Sequence, residues 1–229
     1  MSAVAEHLQE VRLGEPQVHR NLAMVPLLAA GPNETGYLLL DDVLSSGCAR
    51  VTEVSESGSV PELKFVNDCD RPVLILDGEE LVGAKQNHIL NLSVLAPVHK
   101  AIVIPVSCVE AGRWRADSAE FSSAGRTHYA VGRARKATQV SESLLSSGSR
   151  RSDQAAVWND TSAKAVCMEA LSDTEAAAAL YERHRVSLDE YLRAFRPVVG
   201  QTGALFVIEG RITGLDLFRQ PLDTRQGSA

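Results

Sequence analysis

Prolines and turn residues cut the first half of the chain, to about Trp114, into short apolar runs spaced 8–12 residues apart. A chain punctuated that often cannot build long helices, and the pattern predicts an antiparallel sandwich or barrel. Apolar patches over 17–30 are broken by Pro26 and followed by the turn signal Gly31-Pro32-Asn33. Residues 38–46 read as one short helix with Gly47 as its C-terminal cap. Strands are expected over 49–55 and 63–66, with a turn at Ser57-Gly58-Ser59 between them. Residues 72–76 are continuously apolar, which suits a strand buried on both faces. Residues 89–95 and 101–109 read as further strands, with Pro97 and Pro105 forcing edges or bulges.

Beyond Trp114 the character changes. Residues 113–151 hold eight lysines and arginines against three acidic residues, and 141–152 are close to low complexity. This composition predicts a solvated Ser/Gly-rich loop, or else a lid that carries arginines over an anionic ligand. Residues 153–171 have few breakers and read as a helix. Ser172-Asp-Thr-Glu175 and Ser187-Leu-Asp-Glu190 match capping boxes, and Leu188, Tyr191, Leu192 and Phe195 make an apolar stripe ended by Pro197 and Gly200. Residues 203–209 and 212–218 read as a hairpin turning at Gly210-Arg211, with a frayed tail from 221. The hairpin is too small to stand alone and should pair with the N-terminal sheet. The expectation is one α+β domain over 1–229: a mainly antiparallel β core, a C-terminal helical segment and a closing β-hairpin.

Hydrophobic residues make up 45% of the 229 and charged ones 23%, enough for a sizeable core. The net charge of −6 argues against duplex nucleic acid, and no apolar run reaches the length of a membrane span. The first residues lack a basic start and apolar stretch, so no secretory signal is expected. Cys48, Cys69, Cys108 and Cys167 form no Cys-x-x-Cys pair and have no paired histidines nearby. They read as reduced thiols of a bacterial or other cytoplasm, with no metal site.

The densest polar cluster runs from Asp77 to Asn91 behind the 72–76 strand. Gly78 and Gly83 permit tight bends, and Glu79, Glu80, Lys85, Gln86, Asn87 and Asn91 supply donors and acceptors. Adjacent strand residues point to opposite faces, so at most one of Glu79 and Glu80 would face a pocket as an acid–base or metal-binding group. A second cluster holds Cys108, Glu110, Arg113 and Trp114. Glu110 and Arg113 could form a bidentate ion pair; alternatively Arg113 grips a phosphate while Trp114 stacks on a base. Cys108 reads as a buried thiol. Phosphate-loop, Gly-x-Gly-x-x-Gly and Gly-x-Ser-x-Gly patterns are missing, against P-loop, Rossmann and serine-hydrolase chemistry.

The run Gly78-Glu-Glu-Leu-Val-Gly-Ala-Lys-Gln-Asn87, then Leu90-Asn91, residues 104–110, Gly112-Arg-Trp114 and Gln154-x-x-Val-Trp158 resembles a bacterial domain family. That family is named for its association with ADP-ribosylglycohydrolases and rhodanese/phosphatase-superfamily proteins. This chain departs from its pattern at His88, where arginine is usual. The resemblance implies a setting in ADP-ribose or NAD metabolism. It leaves open a domain that binds or processes a phosphorylated nucleotide and a non-catalytic interaction or oligomerisation module. On the first reading Glu79 or Glu80 is the catalytic group, and Lys85, Gln86, Asn87, Asn91, Glu110, Arg113 and Trp114 hold the ligand. On the second the same residues form a buried network, and the partner is a second copy or an enzyme of ADP-ribose metabolism. Neither reading names a cofactor.

Overall fold

A computed structural model describes residues 3–29, 36–55, 61–115 and 118–218. The turn signals at 31–33 and 57–59 and the tail from 221 lie outside the described residues. In chain order the elements are α1 (Ala3–Glu10), β1 (Arg12–Leu13), β2 (Gln17–His19), β3 (Leu22–Leu28), β4 (Leu38–Leu39), α2 (Leu40–Ser45), β5 (Ala49–Glu53) and β6 (Glu62–Asn67). Then come β7 (Val73–Ile75), β8 (Glu79–Gly83), β9 (His88–Leu90), β10 (Val94–Ala96), β11 (Lys100–Cys108) and β12 (Phe121–Thr127). Helices α3 (Ala130–Ser147), α4 (Gln154–Cys167), α5 (Ala178–Arg183) and α6 (Arg185–Ala194) precede β13 (Gln201–Ile208) and β14 (Arg211–Leu217). The class is α+β, as expected. The chain divides into two compact units, Met1–Gly36 with His184–Ala229, and Tyr37–Arg183, where the sequence reads as one domain.

In the first unit β13 pairs with β3 and β14, while β1 and β2 share the other edge of β3. Pro26 sits inside β3, between the residues that pair with β2 and those that pair with β1. Its missing N–H falls where the partner changes, so no ladder bond is lost. The closing hairpin forms as expected. Glu209 and Gly210 both have positive φ (49° and 77°), the geometry of a tight two-residue turn. Helix α6 starts after His184, so Ser187 to Glu190 lies within it and is not its cap. None of its residues is buried, and Tyr191 of its apolar stripe sets its ring on His19 and donates its hydroxyl to Asn21 Oδ1 at 2.7 Å.

The second unit is a closed six-stranded barrel, in the order β11-β6-β5-β12-β8-β9, beside a three-stranded sheet β10-β7-β4. Alternation along β6 sends Leu63 and Phe65 into the barrel with Val51, Leu81, Ile104 and Phe121, each no more than 4% exposed. Pro105 ends the run of β11 that pairs with β6 on one edge and lies just outside the run that pairs with β9 on the other. The expected edge is therefore a central strand. The expected strand over 89–95 is two strands separated at Asn91, and the expected helix over 38–46 begins two residues late, after β4. The pairing of β5 with β12 is limited to Phe121 and Val51. There Asp41 of α2 accepts a hydrogen bond from Ser123, beside a groove of about 710 Å³ lined by Arg50, Ser118, Glu120 and Ser122.

The stretch 113–151 is not one continuous loop, since it supplies β12 and the 18-residue α3. Gly132, Lys136 and Val140 are buried at intervals of four, so α3 packs through a stripe whose central member is a lysine. Cys48 and Cys69 are joined as a disulfide across the adjacent ends of β5 and β6, so only Cys108 and Cys167 are free thiols. Ser172 to Glu175 caps no helix: the Ser172 hydroxyl accepts from Ala176 N, where Ala176 bridges Glu110. Helix α4 packs against β11 and α5, with a small apolar cluster of Ile89, Val109, Val157 and Ala177 between. Among the described residues, no helix is long and apolar enough to cross a membrane.

Candidate functional site

The bend from β8 to β9 is forced by backbone geometry. Gly83 has φ 134°, and a Cβ there would lie 2.6 Å from Ser118 Oγ and 2.7 Å from Glu120 O, so only glycine fits. Around this bend the candidate residues bond one another. The Arg113 guanidinium pairs with Glu110 Oε2 at 2.7 Å and donates to Ala84 O at 2.7 Å, Asn87 Oδ1 at 3.0 Å and Arg115 O at 3.0 Å. Glu110 Oε2 also accepts from Asn87 N, and Gln86 Nε2 donates to Glu110 O. Burial pushes the Glu110 carboxyl up, but the hydrogen bonds from Arg113 and Thr174 and the Arg113 charge outweigh it and hold the pKa low. Trp114 stands 56% exposed, with Lys85 Nζ 5.5 Å from its ring centre.

Glu79 and Glu80 leave β8 for different surroundings. Glu79 Oε2 accepts from Leu76 N at 2.7 Å; burial, reinforced by the Asp41 charge, pushes its pKa up to about 7. Glu80 is 1% exposed and lies on the barrel's outer face, beneath α5. Its Oε2 meets Arg126 Nε at 2.6 Å, and Oε1 has no hydrogen-bond partner among the described residues. Arg126 lies 4.5 Å from the Tyr181 ring centre, and the Tyr181 hydroxyl donates to Thr127 O at 3.0 Å. Burial raises the Glu80 pKa against the pull of Arg126, and the nearby Glu110 and Glu182 charges raise it further. A carboxyl so placed can hold a proton.

A third cluster gathers at Asp77. Lys136 of α3, 1% exposed, donates to Asp77 and to Leu90 O, and Arg133 Nε lies 3.8 Å from Asp77. Burial lowers the Lys136 pKa, opposed by the Asp77 charge. His128 is 3% exposed; burial and then the Lys136 and Arg133 charges push its pKa down to about 4, keeping it neutral.

Asn91 is turned inward as well. Its amide donates to Val106 O and Arg150 O, and its Oδ1 accepts from Ser107 Oγ at 2.6 Å. Gln154, the first residue of α4, caps the end of β11 like a strand: its Oε1 accepts from Cys108 N and its Nε2 donates to Cys108 O, both at 2.8 Å. Burial raises the Cys108 thiol pKa, which suits a packing residue and not a thiolate nucleophile.

The structure thus brings Gln86, Asn87, Glu110 and Arg113 into one network and leaves Glu79, Glu80 and Asn91 in three others. None of the nine candidates lines the groove beside Asp41. Sequence reasoning passed over Arg126, His128, Lys136 and Tyr181. The signal is present in the surplus of basic residues over 113–151, which reads as a solvated loop or a lid and does not single out these four. No three His, Cys, Asp or Glu side chains among the described residues are grouped to hold a metal ion. Residues 10–224 match the family described as the ARG and Rhodanese-Phosphatase-superfamily-associated Protein domain. No curated protein and no solved structure matches the chain.

Proposed function

The chain belongs to the ARG and Rhodanese-Phosphatase-superfamily-associated Protein domain family, and from that membership we propose that it is a non-catalytic accessory module. It acts by binding a partner enzyme of ADP-ribose or NAD-related metabolism. The observation that carries this reading is the saturation of Arg113. Its guanidinium is engaged by a carboxylate, an amide oxygen and backbone carbonyls of its own fold, so gripping a ligand phosphate would break a buried ion pair. The first unit offers a means of association. Among the described residues β14 is an edge strand, with Ile212 70% and Leu215 53% exposed, and a sheet edge is a template for a partner's strand.

A second reading, that the domain binds or processes an ADP-ribose-like nucleotide, draws on one observation. Glu80 keeps an unpartnered oxygen at full burial, which is unusual unless it serves a purpose. Both readings meet the same experiment. The full chain is mixed with the ADP-ribosylglycohydrolase of its own organism and sized by light scattering, and the chain alone is assayed for turnover of ADP-ribose and NAD. A complex that Ile212→Lys and Leu215→Lys abolish, with no turnover, is the expected result. Turnover by the chain alone, lost in Glu80→Gln, overturns the accessory reading in favour of the second.

A further inference from the structure

The link between α3 and α4 holds two consecutive arginines, Arg150 and Arg151, both exposed. Among the described residues neither side chain has an ion-pair or hydrogen-bond partner, whereas Arg20, Arg50, Arg113, Arg126 and Arg135 are all paired with carboxylates. Both line a groove of about 410 Å³ against the barrel wall, with Ser149, Val103, Pro105 and Glu62. Glu62 is the one carboxylate in that lining and is bonded to neither arginine.

What sets this pair apart from ordinary surface charge is how the loop is held. Asn91, 2% exposed, donates to the Arg150 carbonyl at 3.1 Å. Ser107, 1% exposed, shares a 2.6 Å hydrogen bond with the Ser152 hydroxyl, and it also donates to Asn91. On the far side Asp153 N donates to Gln139 of α3, and the Asp153 carboxylate caps α4 through Ala156 N. Buried polar side chains of the barrel therefore fix both flanks of the pair. Fixing a binding loop in advance removes the ordering cost that a flexible arginine pair would incur on binding.

We propose that Arg150 and Arg151 form a binding site for the phosphate or diphosphate group of a small molecule, with Asn91 and Ser107 as positioning residues. Two arginines lining one groove offer two planar forks, and oxygens on neighbouring phosphorus atoms can be met bidentately. A volume of about 410 Å³ lies in the range of small-molecule sites. The proposal is independent of partner binding and uses no residue of β14.

Calorimetric titration of the full chain with pyrophosphate and, separately, inorganic phosphate tests it. Saturable binding is expected, tighter for pyrophosphate if a diphosphate is the natural group and equal if a single phosphate suffices. Arg150→Ala/Arg151→Ala should weaken it by about tenfold or more, and the double lysine variant should recover only part, because a lysine lacks the fork. Ser152→Ala leaves both arginines in place and cuts the tether. A weaker affinity with an unchanged melting temperature would identify positioning, a readout that simple charge attraction does not move. No binding by the wild-type chain, or equal binding by the double alanine variant, overturns the site.

Discussion

Arg113 shows how far a residue's role depends on groups remote in sequence. The spacing Glu110 to Arg113 already allows an ion pair, and that much is legible. Its other acceptors, Ala84 O and Asn87 Oδ1, lie 29 and 26 residues away, which no local pattern displays. Removing the guanidinium leaves Glu110 buried and uncompensated, so Arg113→Ala should lower unfolding stability by about 3–5 kcal/mol, read from denaturant midpoints. An unchanged midpoint would mean that the guanidinium is free for a ligand. Two other residues set opposing pH dependences. Glu79, raised from 4.5 to about 7, keeps its proton in the native state, so its contribution is full below pH 4.5 and is lost as pH rises to 7. His128, lowered from 6.5 to about 4, is neutral when native, so its contribution is full above pH 6.5 and is lost as pH falls towards 4. Between 4.5 and 6.5 the two slopes oppose. Glu79→Gln should therefore leave stability rising with pH across that window, measured as unfolding midpoints at several pH values. A flat profile both in that variant and in Glu79→Gln/Glu80→Gln, which also removes the other raised carboxyl, would remove His128 from the account.

Among the elements, the short strands were legible because alternation and turn residues are local signals. Helix α3 was not. Its buried positions are Gly132, Lys136 and Val140, so a hydrophobic-period reading finds no stripe, and a charged segment rich in serine reads as loop. The lysine is buried only because Asp77 and the Leu90 carbonyl, 59 and 46 residues away, await it. Prolines misled in the other direction. Pro26 and Pro105 sit in central strands: Pro26 lies where the neighbour on one edge changes from β2 to β1, and Pro105 lies just outside the residues of β11 that pair with β9. Gln154 couples α4 to the barrel through both backbone groups of Cys108. Gln154→Ala should cost about 1–3 kcal/mol, from two lost hydrogen bonds that leave a partly buried N–H and C=O unmet. Hydrogen exchange should quicken in α4 and at the end of β11, with β5 and β6 unchanged. Uniform quickening throughout the barrel would show that the amide supports the whole core instead.

At the scale of the whole molecule, the α+β class, the barrel-like core and the closing hairpin follow from the sequence pattern, while the division into two units does not. The chain enters and leaves the first unit through segments 148 residues apart along the sequence, and the expected pairing of the closing hairpin with the N-terminal sheet takes the form of β13 on β3. The Cys48–Cys69 disulfide was also illegible, since 21 residues separate cysteines that only the β5–β6 register brings side by side. Reducing it should lower stability by roughly 2–4 kcal/mol and the melting temperature by about 5–10 °C, checked by calorimetry with and without reductant. An unchanged transition would show that the strand pairing alone holds that corner. The barrel, finally, has a seam. Where β5 and β12 meet at one residue pair, closure relies on Asp41 of a six-residue helix reaching Ser123. A wall joined that lightly opens there before anywhere else, and an opened barrel is a curved sheet with two bare edges. The same short helix that completes the cylinder therefore also guards the chain against strand-to-strand aggregation with its own copies.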